Sequence, residues 1–400
     1  MNNNSGKRIY GNETKYLTEV IKSDFRTSKG SEMMKRFESA FTSKFGVKFG
    51  ISFVNGTATM HAALEAWGLK PGDEVIVPPL TMSATAFAVL QSNATPVFAD
   101  VDPDTFQISP KSIEERITSK TRAIITVALY GLSPDMDPIM SLAEKHGLLV
   151  IEDNAECFLG KYKEKMVGAI GHCASFSFQS SKHLTSGEGG ILITKDSDFA
   201  DKVRRVQSLG YAGVGASKGK ITKKDIQDPE YSRHVVLGWN YRMPELCCAV
   251  ALAQVENIDD LVQRRIKVAK LFDSAIKGYD WFVPQKVNVG YEHSYWTWVA
   301  RLERTDISWH QFRDKFNSLG GDGVYAAWKL TYLEPMFQEM KLLGRENFIS
   351  DENKSKYIFG LCPIAERLQP RLFQFKTNYW NIQDAKRQAD ILTETLSFFS

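Results

Sequence analysis

Cysteine is scarce in this chain: five residues in 400, at positions 157, 173, 247, 248 and 362, with no Cys-x-x-Cys pair. An odd, scattered set of this kind excludes a disulfide framework and fits buried free thiols in a reduced compartment. Histidine is equally sparse. Its seven copies include no pair at metal-ligand spacing, and His172 and His183 stand alone, so no structural or catalytic zinc is expected. No run approaches the roughly 18 apolar residues that a spanning helix needs, and the polar start MNNNSGKR leads into no apolar segment. A soluble, cytoplasmic protein is the expectation. Charge of one sign is lacking too: the formal net charge is +3 with 24% charged residues, too balanced for nucleic acid or a membrane surface as the main partner. A small-molecule ligand is expected. The chain also lacks internal repeats and low-complexity tracts.

What is present is an alternation. Short apolar runs, ISFV (51–54), EVIVP (74–78), PVFAD (96–100), AIITVAL (123–129), LLVIED (148–153), ASFSF (174–178) and ILIT (191–194), read as strands. Between them, segments such as TATMHAALEAW (57–67) and MDPIMSLAEKH (136–146) carry apolar residues at helical spacing. The pattern predicts an α/β fold with a mostly parallel seven-stranded sheet covered by helices on both faces. Ligands of such sheets sit at the carboxyl ends of the strands, so the residues just after each run matter most. A single long helix is predicted from Pro244 to about Phe272, and Tyr211–His234 reads as a long loop. At 400 residues the chain exceeds the usual single domain; we place a large domain with an N-terminal arm at 1–264 and a smaller C-terminal α/β domain at 265–400.

Four features fall at strand ends. In VNGTATMHAAL a strand runs through Asn55-Gly56-Thr57 straight into a helix, and free N–H groups at a helix start form an anion site that glycine lets a ligand approach. By itself such a turn is common, and Thr57 there can simply cap the helix. In VIEDNAECF, Asp153 ends the most apolar strand, where a carboxylate needs a partner such as a protonated ring nitrogen, or else simply forms a turn. Glu152 points to the opposite face. In SFSFQSSKHLTSGEGG, Ser177 lies five positions before Lys182 and GEGG begins five after it. The lysine can grip a phosphate, sit on the surface, or bond a cofactor covalently. The fourth feature, LGWNYRMPEL, opens the long helix and reads equally as a buried helix entry with Arg242 in an ion pair.

One chemistry uses these features together. Pyridoxal phosphate needs a lysine for its aldehyde, a carboxylate for its pyridine nitrogen and phosphate donors at a helix N-terminus. Lys182, Asp153, and Gly56-Thr57 with Ser177 supply the three. At this point the chain resembles the DegT/StrS family of pyridoxal-phosphate sugar aminotransferases, with the fold type I, aspartate-aminotransferase-like architecture. The segments that carry the resemblance are SKGSEMMKRFESAF, NGTATMHAAL, PGDEVIVPPLT, PVFADVDPDTFQI, ALYGLSPDMDPI, VIEDNAE, SFSFQSSKHLTSGEGG and GWNYRMPEL, in the family's order over roughly residues 20–265.

The resemblance implies that Lys182 anchors the cofactor and, once released by the amino donor, carries the proton between carbon atoms. It implies that Asp153 pairs with the pyridine nitrogen, and that Gly56, Thr57 and Ser177 hold the phosphate, with Ala58 beside them among the cofactor contacts. Asn240 would reach the phosphate of the neighbouring subunit, which implies a homodimer with shared active sites. Glu156 falls where the family often has glutamine or histidine near the cofactor's ring oxygen. Met82 stands where an aromatic residue commonly stacks on the ring; its thioether can contact the ring face more flexibly. The implied reaction moves an amino group from glutamate to a nucleotide-linked keto sugar.

One branch of the family replaces the lysine by histidine and dehydrates the sugar instead. Placing His183 there would shift the register and spoil both the Ser177 and the GEGG spacing, so aminotransfer is favoured. A sensor that keeps the fold without turnover is the non-enzyme alternative; the complete lysine, aspartate and phosphate-site set argues against it. Lys218, Lys220, Lys223 and Lys224 in the 211–234 loop are either solvated or face a sugar-nucleotide diphosphate. Tyr325, Trp328 and the stretch from His293 to Trp298 are pocket candidates by position, with core packing the alternative for these aromatics.

Overall fold

The computed structural model describes residues 8–25, 31–216 and 221–400. Its seven predicted strands all form: β1 (Phe49–Phe53), β2 (Glu74–Val77), β3 (Thr95–Phe98), β4 (Thr121–Val127), β5 (Leu149–Asp153), β6 (Cys173–Ser177) and β7 (Gly190–Thr194). They make one sheet in the order β1-β7-β6-β5-β4-β2-β3. Six strands run parallel, and β7 is antiparallel to both neighbours. Strands buried on both faces favour apolar side chains, which is why most of these runs read as continuous, and buried polar residues such as Ser175 and Glu152 are hydrogen-bonded exceptions. The two faces divide the apolar side chains strictly by parity. Ile191 and Ile193 pack with Phe37, Phe41 and Ala249 on one side, while Leu192 joins Ile51, Phe53 and Leu149 on the other.

Helices cover both faces. Gly56–Trp67 and Ser197–Gln207 lie over one, and Met33–Phe45 and Glu245–Val255 over the other. The helix expected from Pro244 to Phe272 is two helices, Glu245–Val255 and Ile258–Ala275. The break falls where Glu256 accepts hydrogen bonds from Tyr16 and Asn12, both at 2.6 Å, and Asn257 turns its amide back to the Ala253 carbonyl at 2.9 Å. The 211–234 segment is likewise not wholly a loop. Thr222 and Asp225 form a reciprocal capping box that starts the short helix Lys223–Gln227, a signal present in the sequence as Thr-Lys-Lys-Asp. Lys218 and Lys220 lie outside the described residues.

A second, antiparallel sheet follows: β8 (Phe282–Pro284), β9 (Thr297–Leu302), β10 (Val324–Ala326) and β11 (Leu372–Lys376), in the order β8-β9-β11-β10. Its own core gathers Phe282, Trp298, Phe312 and Phe375 with the helices Ile258–Ala275 and Ile382–Phe398. The stretch between β10 and β11 returns to the first core. There Tyr332, Phe337 and Tyr357 surround Phe98 at ring-centroid distances of 5.3, 5.7 and 5.8 Å.

The carboxyl ends of β1, β5 and β6 and the start of antiparallel β7 meet along one edge. Gly190, paired with Phe53, lies so close to the turn after β1 that a Cβ on it would stand 2.6 Å from the Asn55 carbonyl and 2.8 Å from the Gly56 nitrogen. Backbone atoms cannot yield cheaply, so a Gly190→Ala substitution should cost about 1–3 kcal/mol. Urea unfolding measures it; a loss below about 0.5 kcal/mol, the scatter of a harmless surface change, would show that the turn has room to move.

Candidate active site

Lys182 follows β6 on a turn closed by its own N–H to the Gln179 carbonyl (3.0 Å), with the Gln179 side chain accepting from Ser181 N and Oγ, both at 2.7 Å. The outward carbonyls of this turn are fastened from the helix Ile258–Ala275. Arg265 donates from Nη2 to Ser181 O (2.8 Å) and Lys182 O (3.0 Å), and from Nη1 to Trp296 O (2.7 Å) and Thr377 Oγ1 (3.2 Å). Arg8 adds bonds to the Ser180 and Lys182 carbonyls. Arg265 is buried, and burial, with Arg8 nearby, pushes its guanidinium down to about 9.

The Lys182 side chain is 13% exposed, and its Nζ stands 3.6 Å from Glu156 Oε1 and 4.3 Å from the centre of the Trp296 ring. Two carboxyls flank it. Asp153, at the end of β5, accepts from Thr85 Oγ1 (2.9 Å) and the Ala155 N–H (3.2 Å). Glu156 accepts from the Tyr130 N–H at 2.9 Å, which Tyr130 presents from a left-handed backbone (φ 64°). Burial raises both acids, and the Lys182 charge works against it at each. A buried carboxyl in that condition gains most from a nearby cation or N–H donor. Glu152 shows the contrast. It faces away from Asp153 and spends its oxygens on the N–H groups of Gly168, Ile170 and Gly171 at 2.6–2.8 Å, a structural task.

An anion cradle lies beside these groups. Asn55 caps the helix Gly56–Trp67 by accepting from the Ala58 N–H at 2.8 Å, so that N–H is already used. The Gly56 and Thr57 N–H groups belong to the first turn, which has no intrahelical partners for its donors. Gly56 packs against Ser177, whose Cβ would stand 3.0 Å from any Cβ added to it. Lysine, carboxyls and cradle thus share one edge of the sheet, and their donor set fits a cofactor that carries an aldehyde, a basic ring nitrogen and a phosphate.

Of the sequence-nominated residues, Lys182, Asp153, Glu156, Gly56, Thr57, Ala58 and Ser177 fall at this edge. Met82 sits just before the helix Ala84–Gln91 and is 53% exposed, with Thr85 of that helix reaching Asp153. Asn240 is exposed and lines a separate hollow of about 1270 Å³ with Arg204, Tyr211 and Lys223. His183 is buried: its Nε2 donates to the Ser294 carbonyl at 2.9 Å, and burial holds its imidazole well below the usual range. Sequence reasoning missed Arg265, Thr85 and Tyr130. Arg265 left one signal, a charge at a position where Leu261, Val262, Val268 and Ala269 mark the apolar stripe. Among the described residues no cluster of three metal-ligating side chains occurs, and no helix is long and apolar enough to cross a membrane.

A second cavity, of about 1120 Å³, opens beside the lysine turn, lined by Ser181, Arg265 and Trp296 and, from the second sheet and its flanks, Tyr325, Trp328 and Arg387. A sequence profile described as the DegT/DnrJ/EryC1/StrS aminotransferase family matches residues 7–367. The chain belongs to that family. The DegT/DnrJ/EryC1/StrS match extends beyond residue 265 through most of the second sheet's segment, farther than the motifs alone reach. GDP-perosamine synthase of Escherichia coli O157:H7 is 39% identical over 297 residues, 74% of this chain and 76% of that protein. L-glutamine:2-deoxy-scyllo-inosose aminotransferase of Streptomyces paromomycinus is 36% identical over 277 residues, 68% of this chain and 63% of that one. Among solved structures, the aminotransferase from Psychrobacter cryohalolentis superposes with a TM-score of 0.84 at 26% identity, covering 98% of this chain and 97% of its own. The DegT/DnrJ/EryC1/StrS fold is the fold type I aminotransferase architecture that the motif order implied.

Removing the buried Arg265 fork would take one donor from each of the Ser181, Lys182 and Trp296 carbonyls, leaving them to Trp296 Nε1, Arg8 and Thr377 Oγ1 respectively, and would open a void where the two sheets are tied. Arg265→Ala should therefore lose on the order of 3 kcal/mol of stability. Chemical denaturation tests this, and a loss under about 1 kcal/mol would mean that water or Arg8 replaces the fork.

Proposed function

We propose that the chain is a pyridoxal-phosphate-dependent aminotransferase that moves an amino group from glutamate to a nucleotide-linked keto sugar, working as a homodimer. The observation that carries this reading is the Lys182 amine, 3.6 Å from Glu156 beside buried Asp153, on the same sheet edge as the Gly56 cradle. A lysine used merely to grip phosphate leaves both buried acids unexplained.

When bound, pyridoxal phosphate supplies an electron sink for the charge left on carbon after a proton departs. The chain does the rest. Gly56 and Thr57 N–H groups, with the Ser177 hydroxyl, hold the phosphate at the positive end of a helix. Asp153, oriented by Thr85 and Ala155, would accept from the ring N–H and favour its protonated form, and beside that charge would itself stay ionised against burial. Glu156, oriented by Tyr130 and 3.6 Å from the Lys182 amine, would be the residue that meets the ring oxygen. Lys182 anchors the cofactor and, once displaced by the donor, takes and returns the proton at Nζ. The absence of that amine is what would divert a site of this kind to dehydration, and here the amine is in place.

The sugar reading rests on relatives named for GDP-perosamine synthesis and for amino transfer between L-glutamine and 2-deoxy-scyllo-inosose. The dimer reading rests on Val235, Val236 and Leu237, three apolar residues 46–80% exposed immediately before Gly238-Trp239-Asn240. Such a surface suits a partner subunit whose phosphate Asn240 would reach, with Lys223 at the rim of the same hollow.

Purified protein should show a cofactor absorption band that responds to glutamate and is lost in Lys182→Ala. A panel of keto sugars, free and nucleotide-linked, assayed for 2-oxoglutarate release from glutamate, tests the acceptor, with glutamine in a parallel arm, read by 2-oxoglutaramate release, testing the donor. No band, or a band untouched by Lys182→Ala, refutes the cofactor assignment. Turnover with other keto acceptors but none of the sugars refutes the substrate.

A further inference from the structure

Trp296 is fastened to the lysine turn at two points by its indole and, through Arg265, at a third by its main chain. Its Nε1 donates to Ser181 O (3.0 Å), its own carbonyl accepts from Arg265 (2.7 Å), and its ring face carries the Lys182 ammonium 4.3 Å from the centroid. Behind it, Trp328 stacks at 5.8 Å with 26° between the planes, and both rings line the 1120 Å³ cavity. The ring is 9% exposed and cannot swing aside without breaking the Ser181 bond and the stack. A face so fixed offers a cation a defined resting place, and indole is the strongest of the aromatic faces for one.

We infer that Trp296 is a positioning residue for Lys182: its ring and Glu156 hold the amine whenever that amine is not bonded to the cofactor. A transaminating lysine is released once in each half-reaction and must stay within reach of the carbon whose proton it moves. A four-carbon side chain left to water samples many rotamers, each a loss of rate. Glu156 at 3.6 Å supplies attraction from one side, and the indole face supplies it from the other. Because Trp296 also stacks on Trp328, the resting place forms part of the cavity wall, so an occupant pressing on Trp328 bears indirectly on the amine.

This inference rests on the proposed role of Lys182, and two measurements separate its failure from failure of that role. In the full-length protein stripped of cofactor, reductive methylation with carbon-13 gives each lysine an NMR signal, and Lys182→Arg assigns the one at 182. Ring current from the indole should move that signal upfield in the otherwise wild-type protein, the shift persisting in part in Trp296→Phe and vanishing in Trp296→Leu. In the holoenzyme, single turnovers with glutamate deuterated at its α-carbon should be about tenfold slower in Trp296→Leu, a loss about equal to 1.4 kcal/mol. The primary isotope effect should be larger in that variant and the donor half-saturation unchanged, while Trp296→Phe recovers most of the rate. A wild-type signal without ring-current shift overturns the inference, even if Trp296→Leu fails to fold. So does a Trp296→Leu enzyme with wild-type rate and isotope effect. A wild-type protein whose cofactor band survives Lys182→Ala overturns instead the function on which the inference stands.

Discussion

The geometry of this molecule hangs on a buried cation satisfied by neutral oxygens. Arg265 sits 2% exposed and directs its fork at three main-chain carbonyls and a threonine hydroxyl. Guanidinium suits that task better than ammonium, because its donors are fixed in one plane and several carbonyls can be met at once. Carbonyl partners bring no counter-charge, and burial pushes both guanidiniums below their usual range, at Arg265 with the Arg8 charge adding to it. That field falls next to the place where a lysine must coexist with two acids. The same fork spans Ser181 and Lys182 on one side and Trp296 and Thr377 on the other, so the lysine turn and the second sheet are tied at a single residue.

Around that tie the acids are sorted by their partners. Glu152, Asp153 and Glu156 are close in sequence and all buried. Glu152 receives three main-chain N–H groups and is spent. Asp153 receives one N–H and one hydroxyl, and Glu156 one N–H and the lysine at 3.6 Å, so each retains capacity to accept from something else. Strand alternation explains the split between 152 and 153, and the turn beyond β5 brings residue 156 back beside 153. Unspent acceptors at the carboxyl edge of a parallel sheet are what distinguish a site from a structural network here.

The legible part of this fold was the part written locally. Apolar-rich runs located all seven strands of the first sheet to within two residues, because strands buried on both faces favour apolar side chains over most of their length. Strand-end position then drew attention to Gly56, Asp153, Ser177 and Lys182, and motif order named the family. The helix break at 256–257 was not legible, since its cause is Glu256 meeting Tyr16 and Asn12 some 240 residues away. The clamp was hidden for the same reason: Arg265 meets the lysine turn across 83 and 84 residues, and Trp296 across 115. Only the misplaced charge in an apolar helical stripe hinted at it. Met82 illustrates the converse limit, for its exposure depends on the fold of the 78–84 turn and on whatever covers that face.

The division between the two sheets also divides two kinds of constraint. The anion cradle at residues 55–57 and 177, the two open acids at 153 and 156 and the lysine at 182 all lie on the first sheet or its turns. The cavity wall at Tyr325, Gln374, Lys376 and Arg387 comes from the second sheet and its helices. Tyr325 and Gln374 face each other as a registered pair of β10 and β11, and Lys376 is held by Asp322 at 2.7 Å, so the wall is organised without any contact to the acids. Substitutions there can alter which acceptor fits while leaving the amine and its acids in place. Trp296, with Ser181 and Arg265, belongs to both sets, because its ring lines the cavity and also carries the Lys182 amine.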